Sequence, residues 1–170
     1  MSRLLFATLM AGTLLLSSCG YHLVGHGDGE GAITTDVKTV TLIVRGSSDR
    51  QFIATLKQRL TSDAYALVEP KDVIDQKSHA NLYVTMAPLR FTPSTYDAAG
   101  VATQYHMLFS GSLTLDRDGK PGWQSGPIQT QGDVYVIGGP TSIEASRERL
   151  LKDLSKQWLQ DALGRLRSGF

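Results

Sequence analysis

Positions 4–16 form an uncharged, leucine-rich run, and beyond residue 36 the apolar residues fall into alternating and helical rhythms. From Val37 to Val44, the residues Val40, Leu42 and Val44 alternate with Thr39, Thr41 and Ile43, which is the period of a strand. Gly46 and Ser47 turn the chain. Ser48 and Gln51 then make an S-x-x-Q capping box, which opens a helix by satisfying free backbone N–H groups. Phe52, Leu56, Leu60 and Ala64 recur at helical spacing with Ile53 beside them, so one stripe of that helix faces a core. Tyr65–Glu69 reads as a short second strand stopped by Pro70, and residues 71–79 as a polar connection. In Asn81–Phe91, Leu82, Val84 and Met86 alternate with Tyr83 and Thr85, and Pro88 assigns the far end to an edge or a bulge. Thr92–Gly100 reads as a loop.

Val101–Leu115 alternates again, with Val101, Thr103, Tyr105, Met107 and Phe109 opposing Ala102, Gln104, His106 and Leu108. Gly111 is expected to mark a bulge or bend before Leu113 and Leu115. Asp116-Arg117-Asp118-Gly119 turns the chain back, and Ile128–Ile137 supplies the last strand. After the break at Gly138-Gly139-Pro140, Thr141 and Glu144 form a second capping box. The final helix then runs to about Arg167, with Ile143, Leu150, Leu151, Leu154, Trp158, Ala162 and Leu166 at helical spacing. Arg165 and Arg167 suit its negative C-terminal end. Amphipathic helices of this kind need a sheet face to cover, so the expected fold is α+β. It is a two-layer sandwich: a mostly antiparallel sheet of about four to five strands with two helices on one face.

The N-terminus has a different character. Arg3 precedes the uncharged run Leu4–Leu16, which falls short of the ~20 apolar residues of a membrane-spanning helix and suits the ~7–15 of an export signal. Leu16-Ser17-Ser18-Cys19 resembles the lipobox of bacterial lipoproteins, in which the thiol accepts a diacylglycerol and cleavage exposes the cysteine amine for a further acyl chain. Two or more chains, at about 0.8 kcal/mol per buried methylene, give stable anchoring where one is marginal. The competing reading of Cys19 is a buried free thiol behind an ordinary signal. The lipobox divides the chain into a signal peptide (1–18), a lipidated Gly-rich tether (19–35) and a single α+β domain (36–170). Gly20 stands where a lipoprotein retained in the inner membrane would carry Asp, so the resemblance implies the outer membrane. The glycine alternation Gly25–Gly31 lacks the flanking strand and helix of a phosphate loop and reads as tether.

Composition narrows the chemistry. The 170 residues carry 17 basic and 16 acidic side chains, without the basic excess of a nucleic-acid binder. A single cysteine excludes an internal disulfide and a multi-cysteine metal site. His22, His26, His79 and His106 show no metal-binding spacing on a helix, and Asp116/Asp118/Gly119 lacks the remaining ligands of a calcium loop. There is no G-x-S-x-G elbow. The expectation is therefore a protein that works by binding, with no catalytic residue, metal or cofactor. The last helix bears Arg147, Arg149, Lys152, Lys156, Arg165 and Arg167 against Glu144, Glu148, Asp153 and Asp161. Arg149, Lys152 and Lys156 share one stripe. A solvated helix face is the plain reading of that stripe; a site for a phosphorylated lipid or an acidic partner is the functional one.

Cys19-Gly20-Tyr21-His22-Leu23 resembles the C-G-(aromatic)-H-L start of the LPS-assembly lipoprotein (LptE) family. Ala102-Thr103-Gln104-Tyr105-His106-Met107 is similar to the A-x-Y-x-M segment of a central strand in that family, and Leu151-Lys152-Asp153-Leu154 to a stretch on its last helix. The resemblance implies an outer-membrane lipoprotein, lipid-anchored and facing the periplasm or the barrel lumen, that plugs and helps assemble the LptD β-barrel. It also implies binding of lipopolysaccharide during its delivery to the outer leaflet. Lys152 matches a family position implicated in that lipid contact, with Arg149 and Lys156 as further candidates. The family's other implicated cation lies before the A-x-Y-x-M strand, where this chain has Tyr96-Asp97-Ala98-Ala99 and no basic residue. Arg90, Arg149 or Lys156 would have to compensate. Tyr83, Thr103, Gln104 and Tyr105 are candidates for contact with a barrel wall. A free-standing periplasmic lipid-binding or chaperone lipoprotein is the alternative.

Overall fold

Strand β5 (Ala102–Arg117) is the spine of the sheet. Its odd-numbered residues Met107, Phe109, Leu113 and Leu115 are buried, so one side of the strand faces the core from Met107 to Leu115. The computed structural model describes residues 31–46, 49–63, 65–137 and 140–169. In chain order the elements are β1 (Thr39–Arg45), α1 (Arg50–Ser62), β2 (Ala66–Leu67), a 3-10 turn (Pro70–Asp72), β3 (His79–Met86), β4 (Arg90–Tyr96), β5, β6 (Lys120–Tyr135) and α2 (Pro140–Ser168). One edge of β5 pairs with β6 along nearly its whole length. The other edge is shared: β3 takes Gly111–Asp116 and β4 takes Ala102–Leu108, both antiparallel. β1 lies beyond β3 and β2 beyond β1, both pairings parallel.

The fold is thus an α+β two-layer sandwich with six strands in one mixed sheet. Both helices lie on the same face, where Trp158 of α2 meets Phe52 of α1 edge-on at 5.6 Å and Phe109 of β5 at 6.2 Å. Trp158 is fully buried, and its indole N–H donates to the Ile128 carbonyl of β6 at 3.1 Å.

Two strands exceed the apolar pattern. Pro88 ends β3 outright, and after residues 87–89 the chain resumes as β4 where a loop was expected from Thr92. All of β4 except Phe91 is exposed, so it has no alternation to read, and its register slips around Pro93 and Thr95. Strand β6 begins at Lys120, eight residues ahead of the expected Ile128, because β5 supplies a template that the breakers Pro121, Gly122, Gly126 and Pro127 do not prevent. The bulge expected at Gly111 lies on β6 instead, where Ser112 pairs with Pro127 but Thr114 with Gln124. There Gly126 takes a positive φ of 66°, and the Leu113 N–H donates to Ser125 Oγ at 2.9 Å in place of a ladder bond. Gly111 remains in register; its missing Cβ would sit 2.8 Å from both the Met86 sulfur and the Thr85 carbonyl oxygen, and 3.0 Å from Trp158.

The helix caps also differ from the boxes read in the sequence. Asp49, not Ser48, caps α1, accepting from the Gln51 N–H at 3.3 Å; Ser48 and Ala64 lie outside the described residues. Helix α2 starts at Pro140, which puts Thr141 within its first turn, and Glu144 pairs forward with Arg147 at 2.8 Å. The turn after β5 is as expected, with Asp118 and Gly119 both at positive φ (54° and 73°), the geometry of a tight hairpin.

The folded body begins earlier than residue 36. The Ala32 N–H donates to the Leu166 carbonyl at 2.8 Å, and Ile33 and Val37 are buried in the core. Residues 31–35, assigned to the tether from the sequence, therefore pack against α2, because Ile33 has an apolar site to enter. The signal peptide, Cys19 and residues up to 30 lie outside the described residues. Asp36 holds this segment to β5 through Arg117 at 2.5 Å, and that guanidinium, helped by the Thr34 hydroxyl, keeps its carboxyl below the usual range.

Gly111→Ala is expected to destabilise the fold by about 1–3 kcal/mol through overpacking against Trp158 and the Thr85 carbonyl; a denaturant midpoint no lower than that of the parent would refute this. The Asp36 carboxylate contributes stability above its unfolded pKa of about 3.9, and this is lost as pH falls through its lower folded value. Asp36→Asn should therefore flatten the fall in stability below about pH 4. The fall will not vanish, because Asp75 is likewise held low, by the Ser78 hydroxyl and the Lys77 N–H. Acid unfolding curves of the two proteins make the comparison.

Candidate anion-binding site

The six cations of α2 divide into two groups of three. Arg147 turns toward the sheet, where its guanidinium lies 5.4 Å from the centre of the Phe91 ring, which in turn stacks on Tyr105 at 4.8 Å. Arg165 donates to the Ser125 carbonyl at 2.6 Å and the Pro127 carbonyl at 3.3 Å, pinning the β6 bulge. Arg167 makes a two-pronged pair with Asp63 at the end of α1, at 2.6 Å and 2.9 Å, and the carboxylate raises its pKa. These last two have specific partners rather than a general role at the helix end.

Arg149, Lys152 and Lys156 make up the second group. All three are exposed, and none joins an ion pair among the described residues. At 100° per residue they fall within an arc of about 60° on α2. Leu154 and Trp158 are buried on the opposite side. Further along, Leu159 and Leu163 are also buried, so the exposed stripe ends at Lys156. The arrangement suits a polyanion: three exposed cations on one helix face, none of them in an ion pair among the described residues.

The other candidates separate. Alternation puts Arg90 on the face opposite Phe91, away from α2, so it does not join the stripe. Tyr105 shares the helix side with Phe91, and Thr103 shares its parity. Tyr83 and Gln104 lie on the open sheet face, and there the Arg45 guanidinium covers the Tyr83 ring at 4.4 Å. The four residues therefore do not form one contact surface. His106 pairs with Asp133 across β5 and β6 at 2.9 Å, while His79 is buried against Thr39 and Asn81. Among the described residues no group of three metal-ligating side chains comes together. Helix periodicity was enough to find the exposed stripe. It could not show that Arg147, Arg165 and Arg167 serve packing, since their partners lie 104 positions away in one case and on other elements in all but one.

The open face carries a different chemistry. Thr85, Ser110, Ser112, Thr114, Gln124 and Gln129, with Met86, Ala87, Leu113 and Pro127 among them, line a shallow depression of about 430 Å³ that holds no charged side chain.

No family model and no curated protein matches this sequence. Solved structures do match its fold. The rare lipoprotein B of Shewanella oneidensis superposes with a TM-score of 0.57 at 14% identity, covering 72% of this chain and 90% of its own. Lipoprotein B of Nitrosomonas europaea gives 0.55 at 14% identity over 86% and 88% of the two chains. A minor lipoprotein of Acinetobacter baumannii gives 0.51 at 13% identity over 77% and 90%. This fold is one that bacterial lipoproteins use.

Proposed function

We propose that this chain is a non-enzymatic outer-membrane lipoprotein subunit of the lipopolysaccharide translocon, anchored through Cys19 and seated in the lumen of an LptD-type barrel. The observation that carries this reading is the conjunction of a lipobox and C-G-Y-H-L start with a fold shared by bacterial lipoproteins. Two physical features support it. The depression on the open sheet face presents hydroxyls and amides and no charged side chain, a surface that a polar barrel interior can cover. Helix α2, with 29 residues, is about 44 Å long, close to the 40–45 Å of a bilayer with its headgroups. A body of that length can occupy a barrel through the full depth of the membrane.

In this reading the barrel and lipopolysaccharide meet different surfaces. The open sheet face lies toward the wall, while Lys152, Arg149 and Lys156 receive the lipid's phosphate groups. Each contact is a charge-assisted hydrogen bond to a phosphate oxygen, which is stronger than a neutral one. The exposed stripe needs no barrel to function, and this favours the alternative of a free-standing lipid-binding lipoprotein.

Affinity purification from detergent-solubilised outer membrane separates the two readings. Stoichiometric recovery of a large barrel protein is expected; recovery of the lipoprotein alone refutes the plug. In a separate test, Lys152→Glu should weaken lipopolysaccharide binding about tenfold, the effect of losing one charge-assisted contact. It should leave the unfolding midpoint unchanged, and equal affinity in the two proteins would remove Lys152 from the site.

A further inference from the structure

Strand β6 lies outermost beside β5, and among the described residues its far edge meets no other strand. The Val136 N–H donates to the Thr103 carbonyl, so the even-numbered residues of β6 bond to β5 in this antiparallel ladder. The backbone N–H and C=O groups of Gln129, Gln131, Asp133 and Tyr135 therefore point outward along the free edge. No hydrogen bond among the described residues reaches them. Their side chains are exposed on the open sheet face, while Ile128, Thr130 and Val134 are buried on the other. From Ile128 to Tyr135 the strand keeps one register with β5, without a proline, a lysine or a bulge.

The rest of the sheet margin is protected against strand addition. β4 carries Pro93 and slips register on either side of Thr95. β2 is two residues long, and Pro70 follows soon after it. In the first half of β6, Pro121, Pro127 and the bulge at Gly126 interrupt the edge, and Arg165 occupies the Ser125 and Pro127 carbonyls. These protections end at Ile128. A straight, unprotected edge beyond that point is a template for another strand.

We propose that the edge from Gln129 to Tyr135 receives an extended segment of a partner protein, which joins the sheet as a further strand. Main-chain hydrogen bonds supply the affinity, and alternate side chains of the segment supply the selectivity. What flanks the edge fixes their chemistry. Helix α2 runs above β6, where Leu150 meets Gly132 and the Thr130 hydroxyl donates to the Leu154 carbonyl at 3.0 Å. Asp153, Gln157 and Asp161 are exposed on an arc of about 80° that includes Leu150. Neither aspartate joins an ion pair among the described residues. Asp133 lies on the opposite face of the edge, paired with His106. An incoming strand thus meets carboxylates on both of its faces, and the matching segment carries basic residues at alternate positions. A second copy of this chain would set these aspartates against their own equivalents. The proposal goes beyond the translocon reading, and the edge exists with or without a barrel around it, so the two fail separately.

The probe is a capped peptide of four Thr-Lys repeats, added to the full lipid-anchored chain in non-ionic detergent while amide exchange is followed by NMR. The peptide should slow exchange about tenfold at the N–H groups of Gln129, Gln131 and Asp133. A Thr-Glu peptide of the same length should not. Gln131→Pro removes one outward N–H and is compatible with an edge strand, so the fold should persist while the protection is lost. Gln131→Lys keeps the backbone but sets a cation against the basic strand, and it decides the matter should the proline variant fail to fold. Unchanged exchange with the Thr-Lys peptide, equal protection by the Thr-Glu peptide, or undiminished protection in the folded variants would each overturn the proposal. So would a dimer of the chain alone whose edge amides already exchange slowly, which would assign the edge to a second copy.

Discussion

A tryptophan on the last helix comes to rest on a glycine in the longest strand, and most of the architecture depends on that contact. Trp158 touches the site of the missing Gly111 side chain and stands edge-on to Phe52 and Phe109. Its indole N–H also donates to a β6 carbonyl. Through this one side chain α1, α2, β5 and β6 are fixed relative to one another. The indole is too large to be buried over a strand that carries a Cβ at that place. An aromatic pair in this geometry adds about 0.5–1.5 kcal/mol beyond its buried area. The cluster therefore specifies how the layers meet as well as holding them together.

The same glycine marks a division within the sheet. Below it β5 shares its edge with β3, and the sheet continues to β1 and β2; above it the neighbour is β4, and the sheet is three strands wide. Both parts lie under the helix layer: the first half of α2 covers the narrow one, where Leu150 meets Gly132 and Arg147 lies over the stack of Phe91 and Tyr105. Three cations thus lie on the outer side of α2, while the open sheet face carries the hydroxyls and amides of the depression beside Arg45 and the His106–Asp133 pair.

Both helices and β3 were legible because their residues face one core. The spacing of Leu154, Trp158, Ala162 and Leu166, and the alternation of Leu82, Val84 and Met86, report burial directly. Strand β4 and the first half of β6 were not, because their conformation comes from β5 rather than from their own side chains. Thr92 to Tyr96 has no inward face, and Pro121 to Pro127 has the composition of a turn. The stripe of Arg149, Lys152 and Lys156 could be read for the same reason as the helix core, of which it is the complement. The meeting of Tyr96 and Tyr135 at one end of the sheet could not, since only the pairing of β4 and β6 with β5 brings those positions together.

The closure of residues 31–37 onto the final turns of α2 bears on the order in which the molecule can form. Ala32 hydrogen-bonds to Leu166, and Arg167 to Asp63, so the first described segment and α1 both wait for the last residues of the chain. Contacts so distant in sequence must overcome loop-closure entropy before they stabilise anything, and they slow folding. A chain that crosses a membrane from its N-terminus would emerge with β1, α1 and β3 lacking a lid over their apolar side until the C-terminus followed. The interval between emergence and completion is built into the topology, and during it the core is open to whatever stands nearby.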